Sequence, residues 1–173
     1  MKTLKGKKIQ LRAMEPKDID FLFQIENDTT IWNVSNTNTP YSRYYLEQYI
    51  INSHNDIYSE KQLRLIIEAD KKKPVGAIDL FEFDPKHLRA GIGILIIAEE
   101  RKKGYASETL DVLINYCKNN LFLNQLFCNI EADNKNSLKL FKDKGFEITG
   151  TKRNWIRTEV GFKDELFLQL FFK

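Results

Sequence analysis

Cysteine and histidine are scarce in this chain, which has two of each among 173 residues. Cys117 and Cys128 fall within a helix pattern and a strand pattern and form no Cys-x-x-Cys motif. Their number and placement exclude a disulfide framework and favour the buried, reduced thiols of a cytoplasmic protein. With only His54 and His87 available, neither a histidine-based metal centre nor a histidine-activated nucleophile is expected, and no metal is predicted.

Long apolar segments and a charge of one sign are missing as well. The longest apolar run falls far short of the roughly 18 residues that indicate a membrane-spanning helix. The opening MKTLKGKK has no apolar core behind it, so a signal peptide is not expected. The 27 basic and 24 acidic residues are scattered and leave a net charge of only +3. A nucleic-acid-binding protein would concentrate its basic residues on one face, so neither a nucleic acid nor a membrane is predicted as a partner.

The two best-known glycine-rich phosphate motifs, G-x-x-x-x-G-K-[ST] and G-x-G-x-x-G, are also absent. The composition that remains, 42% hydrophobic and 29% charged residues, is typical of a globular domain. Because the chain is 173 residues long and shows no repeat or linker, it is predicted to form one domain over residues 1–173.

Hydrophobic periodicity predicts strands and helices in the order β-αα-βββ-α-β-α-ββ. Ser42 and Asn134 are expected to be helix N-caps. This order is typical of an α/β (α+β) domain in which helices cover both faces of a mixed sheet. Strands are expected at 8–13, 62–69, 75–83, 89–97 and 125–130, with two more in 146–173 that are interrupted at 154–155 and 158–161.

Residues 99–106, EERKKGYA, are the most informative segment, because they join the apolar run 92–97 to a helix pattern. A basic glycine loop between a strand and a helix N-terminus presents unpaired backbone N–H groups and the positive end of the helix dipole. Gly104 lets the backbone turn and approach a ligand closely. The segment therefore predicts a phosphate or pyrophosphate site, although an ordinary strand–helix connection would have the same features.

Two motifs resemble the GNAT superfamily of N-acetyltransferases. Arg101-x-x-Gly104-x-Ala106 is similar to its Arg/Gln-x-x-Gly-x-Gly/Ala signature. The later run Asn134-x-x-Ser137-x-x-x-Phe141-x-x-x-Gly145-Phe146 is similar to the pattern that follows the fifth strand in that family. Taken alone, this second run also describes a short amphipathic helix with ordinary ends.

The resemblance implies a mostly antiparallel, twisted sheet of about seven strands whose fourth and fifth strands splay apart. It also implies acetyl-coenzyme A as co-substrate, with its pyrophosphate in the basic loop and its pantetheine arm between the splayed strands. The residues implied to bind it are Ile94, Leu95, Ile96, Arg101, Lys102, Lys103, Gly104, Tyr105, Ala106 and Asn134.

The ends of the chain resemble one branch of the family, which holds the spermidine/diamine N-acetyltransferases and the ribosomal-protein N-terminal acetyltransferases. IQLRAMEPKDI at 9–19 and GFKDELF at 161–167 carry this likeness. The resemblance implies acetyl transfer to a primary amine of a small molecule, such as spermidine, with Asp28, Asp79 and Glu82 attracting a polycation. Asp79 is also the candidate general base. Strand alternation alone would equally place Asp79 and Glu82 outward, and a protein N-terminus or an amino sugar is the alternative acceptor.

The sequence departs from the family pattern at Phe141, where many members place a tyrosine that protonates the leaving thiolate. Phenylalanine cannot donate a proton, so the thiolate leaves unassisted or is protonated by water, or another group such as Tyr105 or Tyr116 substitutes. A second departure is Gly91, which stands in place of a fourth-strand glutamate. The alternative to an enzyme is a non-catalytic sensor protein that binds coenzyme A. Since relatives are often dimers or larger, the resemblance also implies a homo-oligomer.

Overall fold

The computed structural model describes residues 4–32, 37–53 and 56–172. Its centre is one seven-stranded sheet with the strand order β1-β2-β3-β4-β5-β7-β6. The strands are β1 (Ile9–Arg12), β2 (Leu63–Ala69), β3 (Lys73–Asp84), β4 (Arg89–Ile96), β5 (Gln125–Glu131), β6 (Glu147–Thr158) and β7 (Gly161–Phe171). All neighbouring strands are antiparallel except β4 and β5, which are parallel. The predicted mixed, mostly antiparallel sheet is confirmed.

Helices lie on both faces of this sheet, as predicted. They are α1 (Ile19–Glu26), α2 (Arg43–Asn52), α3 (Ile57–Glu60), α4 (Tyr105–Asn119) and α5 (Lys135–Asp143). Periodicity did not predict α3, because a single turn is too short to show a helical repeat. Asp56 caps this turn by accepting the N–H groups of Tyr58 and Ser59.

The C-terminal tail differs from the prediction at one of its two expected interruptions. Residues 159–160 do form the turn between β6 and β7. At Asn154, however, β6 continues through a bulge in which this residue has a positive φ of 50°. A bulge absorbs the irregular backbone without ending the strand.

Two hydrophobic cores hold the helices against the sheet. On one face α4 and α5 pack Leu110, Leu113 and Phe141 against the middle of the sheet. On the other face α1 and α2 pack Leu22 and Leu46 over the N-terminal half of the sheet. Since β2 and β3 are buried on both faces, their sequences are nearly continuous in apolar residues, as is usual for a strand covered on both sides.

The cysteines lie in the first of these cores. Cys117 is 0% exposed and Cys128 is 2% exposed, and both are free thiols. Burial raises the pKa of each thiol to about 12, so both stay neutral at physiological pH. The predicted burial of both thiols is confirmed.

A buried ion cluster joins the start of α1 to the sheet. Arg12 donates to both carboxylate oxygens of Asp18 at 2.7 and 2.8 Å, and its Nε donates to Glu68 at 2.5 Å. Asp18 also accepts the backbone N–H of Glu15 at 2.9 Å, which closes a capping box. The spacing of Arg12 and Asp18 within residues 9–19 therefore allows an internal salt bridge that fixes the direction of α1.

No helix within the described ranges is long and apolar enough to cross a membrane.

Candidate functional site

The parallel strands β4 and β5 diverge part of the way along their length. They pair over Arg89–Gln125, Ala90–Leu126 and Gly91–Phe127 and no further. Beyond these pairs β4 continues to Ile96 and β5 to Glu131. The gap between the two strands past Gly91 and Phe127 is called the wedge below.

The backbone of β4 faces the wedge with alternate residues. Ile97 donates its N–H to Val75 of β3 at 3.0 Å. Because successive residues of a strand direct their polar groups to opposite edges, those of Ile94 and Ile96 face the wedge, whereas those of Leu95 face β3. The Ile96 carbonyl accepts Nε of Arg101 at 3.0 Å. Of the three predicted β4 residues, Ile94 and Ile96 thus present backbone groups to the wedge.

Two glycines at the point of divergence make room for an aromatic ring. A Cβ at Gly91 would overlap the ring of Phe81, and one at Gly93 would touch it at 3.9 Å. The Phe81 ring packs edge-on against Phe127 at 5.8 Å. Gly91 therefore serves packing on the strand face that carries α1 and α2, and a side chain as large as glutamate would collide with Phe81 at this position.

The basic loop leads from β4 into α4 at the open end of the wedge. Residues 98–100 form a 3-10 turn, and Lys102 and Gly104 have positive φ values of 64° and 85°. Gly104 is the N-cap of α4 and provides no side-chain cap. Within the described ranges, the N–H groups of residues 105–107 have no hydrogen-bond acceptor. This geometry fits a diphosphate, since helix N-terminal N–H groups bind anions.

The charged residues of the loop are not equivalent. Lys103 forms an ion pair with the buried Glu100 at 2.7 Å, and Lys73 reaches the other oxygen of Glu100 at 2.7 Å. Lys103 and then Lys73 hold the pKa of Glu100 below its ordinary value. Arg101 is held through its Nε, which leaves its terminal nitrogens for another partner. Sequence reasoning missed Glu100, which shares its negative charge with two lysines and tightens the loop.

Asn134 lies beyond the end of β5, on the opposite side of the wedge from β4. Its Oδ1 accepts the backbone N–H of Ser137 at 3.2 Å and so caps α5. The predicted N-cap is confirmed. Its side-chain amide is half-buried and lies at the C-terminal end of β5, where the extended arm of a ligand bound in the wedge would pass.

Asp79 is paired with a partly buried arginine. It lies in β3 opposite Gly93 of β4 and opposite Arg64 of β2. Nε and Nη2 of Arg64 donate to the two Asp79 oxygens at 2.6 and 3.0 Å, and Nη1 contacts Glu26 at the end of α1. Burial opposes the charge of Arg64, but Asp79 and Glu26 outweigh it and hold the pKa of Arg64 above its ordinary value. Sequence reasoning identified Asp79 but missed both partners.

A recess opens beside this cluster. Its volume is about 190 Å³, and it is called the Arg64 recess below. Its lining is Tyr49, Gln62, Leu63, Arg64, Asp79, Leu80 and Phe81. The guanidinium of Arg64 lies 5.8 Å from the centre of the Tyr49 ring. The Arg64 recess therefore combines an aromatic wall with the Asp79 carboxylate, next to the strand that borders the wedge, and Glu26 adjoins the recess through Arg64.

The other two predicted acids do not join Asp79. Asp28 accepts hydrogen bonds from Thr30 at 2.9 and 2.7 Å, which lower its pKa, and it lines a second recess with Leu95 and Arg101. Glu82 is exposed and sits in a bulge of β3 with a φ of 48°. The structure thus brings Glu26 to Asp79, and it brings Asp28 to the basic loop.

Phe141 is packed in the core, 4% exposed, with its ring edge-on to Phe146 at 5.1 Å. Of the two tyrosines considered in its place, Tyr116 lies about 16 Å further along α4 than Tyr105 and packs near Cys117 and Tyr58. Tyr105 stands in the first turn of α4 beside the loop. Only Tyr105 of this pair is close to the predicted pyrophosphate site.

Comparison with known proteins agrees with this geometry. A family model described as an acetyltransferase (GNAT) domain matches residues 8–147. The uncharacterized N-acetyltransferase p20 of Bacillus licheniformis is 30% identical over 157 residues, which cover 90% of this chain and 88% of that protein. The spermidine N(1)-acetyltransferase of Escherichia coli K12 is 24% identical over 142 residues, which cover 82% of this chain and 74% of that protein.

Among solved structures, the spermidine N-acetyltransferase of Vibrio cholerae in complex with CoA and spermine superposes with a TM-score of 0.85. It is 23% identical and the match covers 96% of each chain, so this likeness concerns the fold. The splayed strands, the loop that caps α4 and the matched family model lead to one assignment. The chain belongs to the GNAT family of acetyltransferases and is an N-acetyltransferase that uses acetyl-coenzyme A.

Proposed function

We propose that this enzyme acetylates a primary amine of a small polyamine or diamine, of which spermidine is an example. The observation that carries the proposal is a pair of carboxylates joined by Arg64: Asp79, in the strand next to β4, and Glu26, at the end of α1. An alkyl diamine is a flexible cation, so carboxylates next to an aromatic wall suit it. The spermidine N-acetyltransferases among the relatives support the same class of acceptor.

The coenzyme is proposed to lie along the wedge, with its pyrophosphate on the N–H groups of residues 105–107. Arg101, Lys102 and Gly104 would surround the pyrophosphate, and Lys103 would act by holding Glu100 and the shape of the loop. The backbone groups of Ile94 and Ile96 and the amide of Asn134 would hold the pantetheine arm. When bound, the coenzyme supplies the thioester that is transferred.

The acceptor is proposed to approach from the face of the sheet that carries α1 and α2. The opposite face is covered by α4 and α5 over β4, through contacts such as those of Ile92 with Leu110 and Leu113 in one core. Asp79 lies across the β3–β4 ladder from Gly93, which borders the wedge, and adjacent strands are about 4.8 Å apart. An amine in the Arg64 recess is thereby held within reach of a thioester in the wedge.

The amine must lose a proton before it attacks, because alkylamines resemble lysine with a pKa of about 10.4. Asp79 is the proposed base. Both of its oxygens accept hydrogen bonds from Arg64, so we propose that the proton passes to it through a water molecule. The leaving thiolate would take its proton from water, since Phe141 has no hydroxyl group.

The proposal is tested by thiol release from acetyl-coenzyme A with a panel of acceptors. The panel contains putrescine, spermidine, spermine, butylamine, amino sugars and short peptides with free N-termini. We expect turnover with the diamine and polyamines above that with the sugars and peptides. Turnover only with peptides or amino sugars would contradict the proposed acceptor class. Tight coenzyme A binding by calorimetry without any turnover would favour a sensor.

We also propose that the chain forms a homo-oligomer through the β6–β7 hairpin. This hairpin extends past the end of β5, because β6 and β7 keep pairing beyond the Glu131–Glu165 pair as far as Thr158–Gly161. Large apolar side chains are exposed there: Trp155 at 62%, Val160 at 96% and Phe162 at 61%. Exposed apolar groups on an unpaired hairpin suit a second copy of the chain. A dodecameric structure of the Vibrio cholerae relative supports self-association.

Charge placed on the hairpin is expected to break this assembly. Val160→Glu combined with Phe162→Glu should yield a smaller species in sedimentation velocity, because each carboxylate would have to be buried between copies. The matched control is Phe122→Glu, since Phe122 is 72% exposed but follows α4 near the C-terminal end of β7, at the other end of that strand from the β6–β7 turn. A native protein that is monomeric at every concentration would contradict this proposal.

A further inference from the structure

The Arg64 recess contains its own cation, and this changes what the recess can recognise. Arg64 contributes one positive charge, whereas Glu26 and Asp79 contribute two negative charges, so the cluster as a whole carries one negative charge. The side chains of Arg64, Glu26 and Asp79 are only 21%, 15% and 31% exposed. Interactions among such partly buried charges are weakly screened by salt.

We propose that Arg64 is a specificity-determining residue that limits the recess to one ammonium group beyond the amine that is acetylated. This inference rests on the proposed acetylation of small amines. The single remaining negative charge matches a diamine such as putrescine. A second remote ammonium, as in spermidine, has no further negative charge to pair with in this cluster, so it adds little to the binding free energy.

The contacts of Arg64 support this role over one of simple packing. Its guanidinium occupies both oxygens of Asp79 and reaches Glu26, which belongs to a different element. It also faces the ring of Tyr49 at 5.8 Å, so an internal cation already sits on the surface that an acceptor's ammonium would use. Since a guanidinium does not deprotonate in proteins, this charge is present at every working pH.

The test compares kcat/KM for butylamine, putrescine and spermidine across variants that change the cluster charge in opposite directions. In the native enzyme, putrescine should exceed butylamine, and spermidine should be close to putrescine. Arg64→Met raises the negative charge to two, and it should increase the spermidine-to-putrescine ratio about tenfold. Glu26→Gln removes the net charge and should lower the putrescine-to-butylamine ratio about tenfold. Arg64→Lys keeps the charge and should retain the native ratios.

The matched control is Arg12→Met, because Arg12 is an equally paired arginine bonded to Asp18 and Glu68 at a distance from the recess. This variant should lose stability and keep the native ratios. If losing any paired arginine altered the ratios, they would change in Arg12→Met as well. Ratios that stay unchanged in Glu26→Gln and in folded Arg64→Met would overturn the inference. If Arg64→Met does not fold, Arg64→Gln replaces it, since a glutamine amide removes the positive charge and can still donate a hydrogen bond to Asp79. Absence of turnover with every amine would instead contradict the proposed function.

Discussion

Replacing Gly104 with valine is expected to lower the affinity for coenzyme A by about 100-fold, or ~2.7 kcal/mol. Gly104 has a φ of 85°, a conformation that a β-branched residue adopts only with strain. The protein itself leaves this side of the glycine open, because the nearest atom to an added Cβ is Nζ of Lys8 at 3.8 Å. The added side chain would therefore fill the space in front of the free N–H groups at the start of α4.

The affinity is measured by calorimetry with coenzyme A, and folding is checked by thermal unfolding. Gly161→Val is the matched control, because Gly161 also has a positive φ, of 136°, but lies at the β6–β7 turn with no atom within 4 Å of an added Cβ. This substitution should also strain the backbone, and it should leave the affinity for coenzyme A unchanged. If Gly104→Val folds and binds coenzyme A as the native protein does, the loop is not the pyrophosphate site.

Replacing Asp18 with alanine is expected to lower the free energy of unfolding by about 3–5 kcal/mol. Asp18 is 2% exposed and accepts two hydrogen bonds from Arg12 and one from the backbone of Glu15. Removal of its carboxylate leaves the Arg12 charge with Glu68 alone and leaves buried donors unpaired. The start of α1 would also lose its attachment to β1.

Urea unfolding measures this effect. Asp143→Ala is the control, since Asp143 pairs with Lys139 on the exposed side of α5 and its side chain is 58% exposed. That substitution should cost about 0.5 kcal/mol or less. Equal losses in the two variants would show that the Arg12–Asp18 pair does not stabilise the fold.

The same pair predicts a pH dependence. Burial opposes the charge of Asp18, but the hydrogen bonds from Arg12 and Glu15 outweigh it and lower the pKa of Asp18 in the folded state. Its contribution to stability is thus present above the unfolded pKa of about 3.9 and is lost as the pH falls through the folded value. The difference in unfolding free energy between native protein and Asp18→Ala should shrink as the pH drops below 4.

The loop and the N-cap of α5 could be predicted from the sequence because each is built from neighbouring residues. Gly104 is required where the chain turns into α4, and Asn134 caps the helix that begins with the next residue. Such local requirements restrict the residue types at single positions. The splay of β4 and β5 was expected from the resemblance to the family, and the short ladder of three pairs confirms it.

The acidic residues illustrate what could not be predicted. The resemblance to the polyamine enzymes implied that Asp28, Asp79 and Glu82 surround one substrate, but a turn closed by Thr30 and a bulge in β3 separate them. The residue that does meet Asp79 through Arg64 is Glu26, and the Glu26–Arg64 contact spans 38 residues of sequence. A single sequence carries no signal for a contact of this kind.

Some expectations from composition and resemblance stay predictions. They are the single domain over residues 1–173, the cytoplasmic location, the absence of a nucleic-acid partner and the roles of the individual site residues. The free N–H groups of residues 105–107 and the position of Asp79 opposite Gly93 are the geometric features that support the proposed site.

By itself the sequence determined the order of the strands and longer helices, the burial of the two cysteines and the Asn134 helix cap, and it predicted an anion-binding loop, because hydrophobic period and capping chemistry act over a few neighbouring residues. Only the tertiary structure decided the net charge of the Arg64 recess. That charge depends on which residues from α1, β2 and β3 meet, and strand register and helix packing bring them together across long stretches of chain. The residues proposed to bind the coenzyme thus lie mostly in one short segment, whereas those proposed to select the acceptor are joined by long-range contacts.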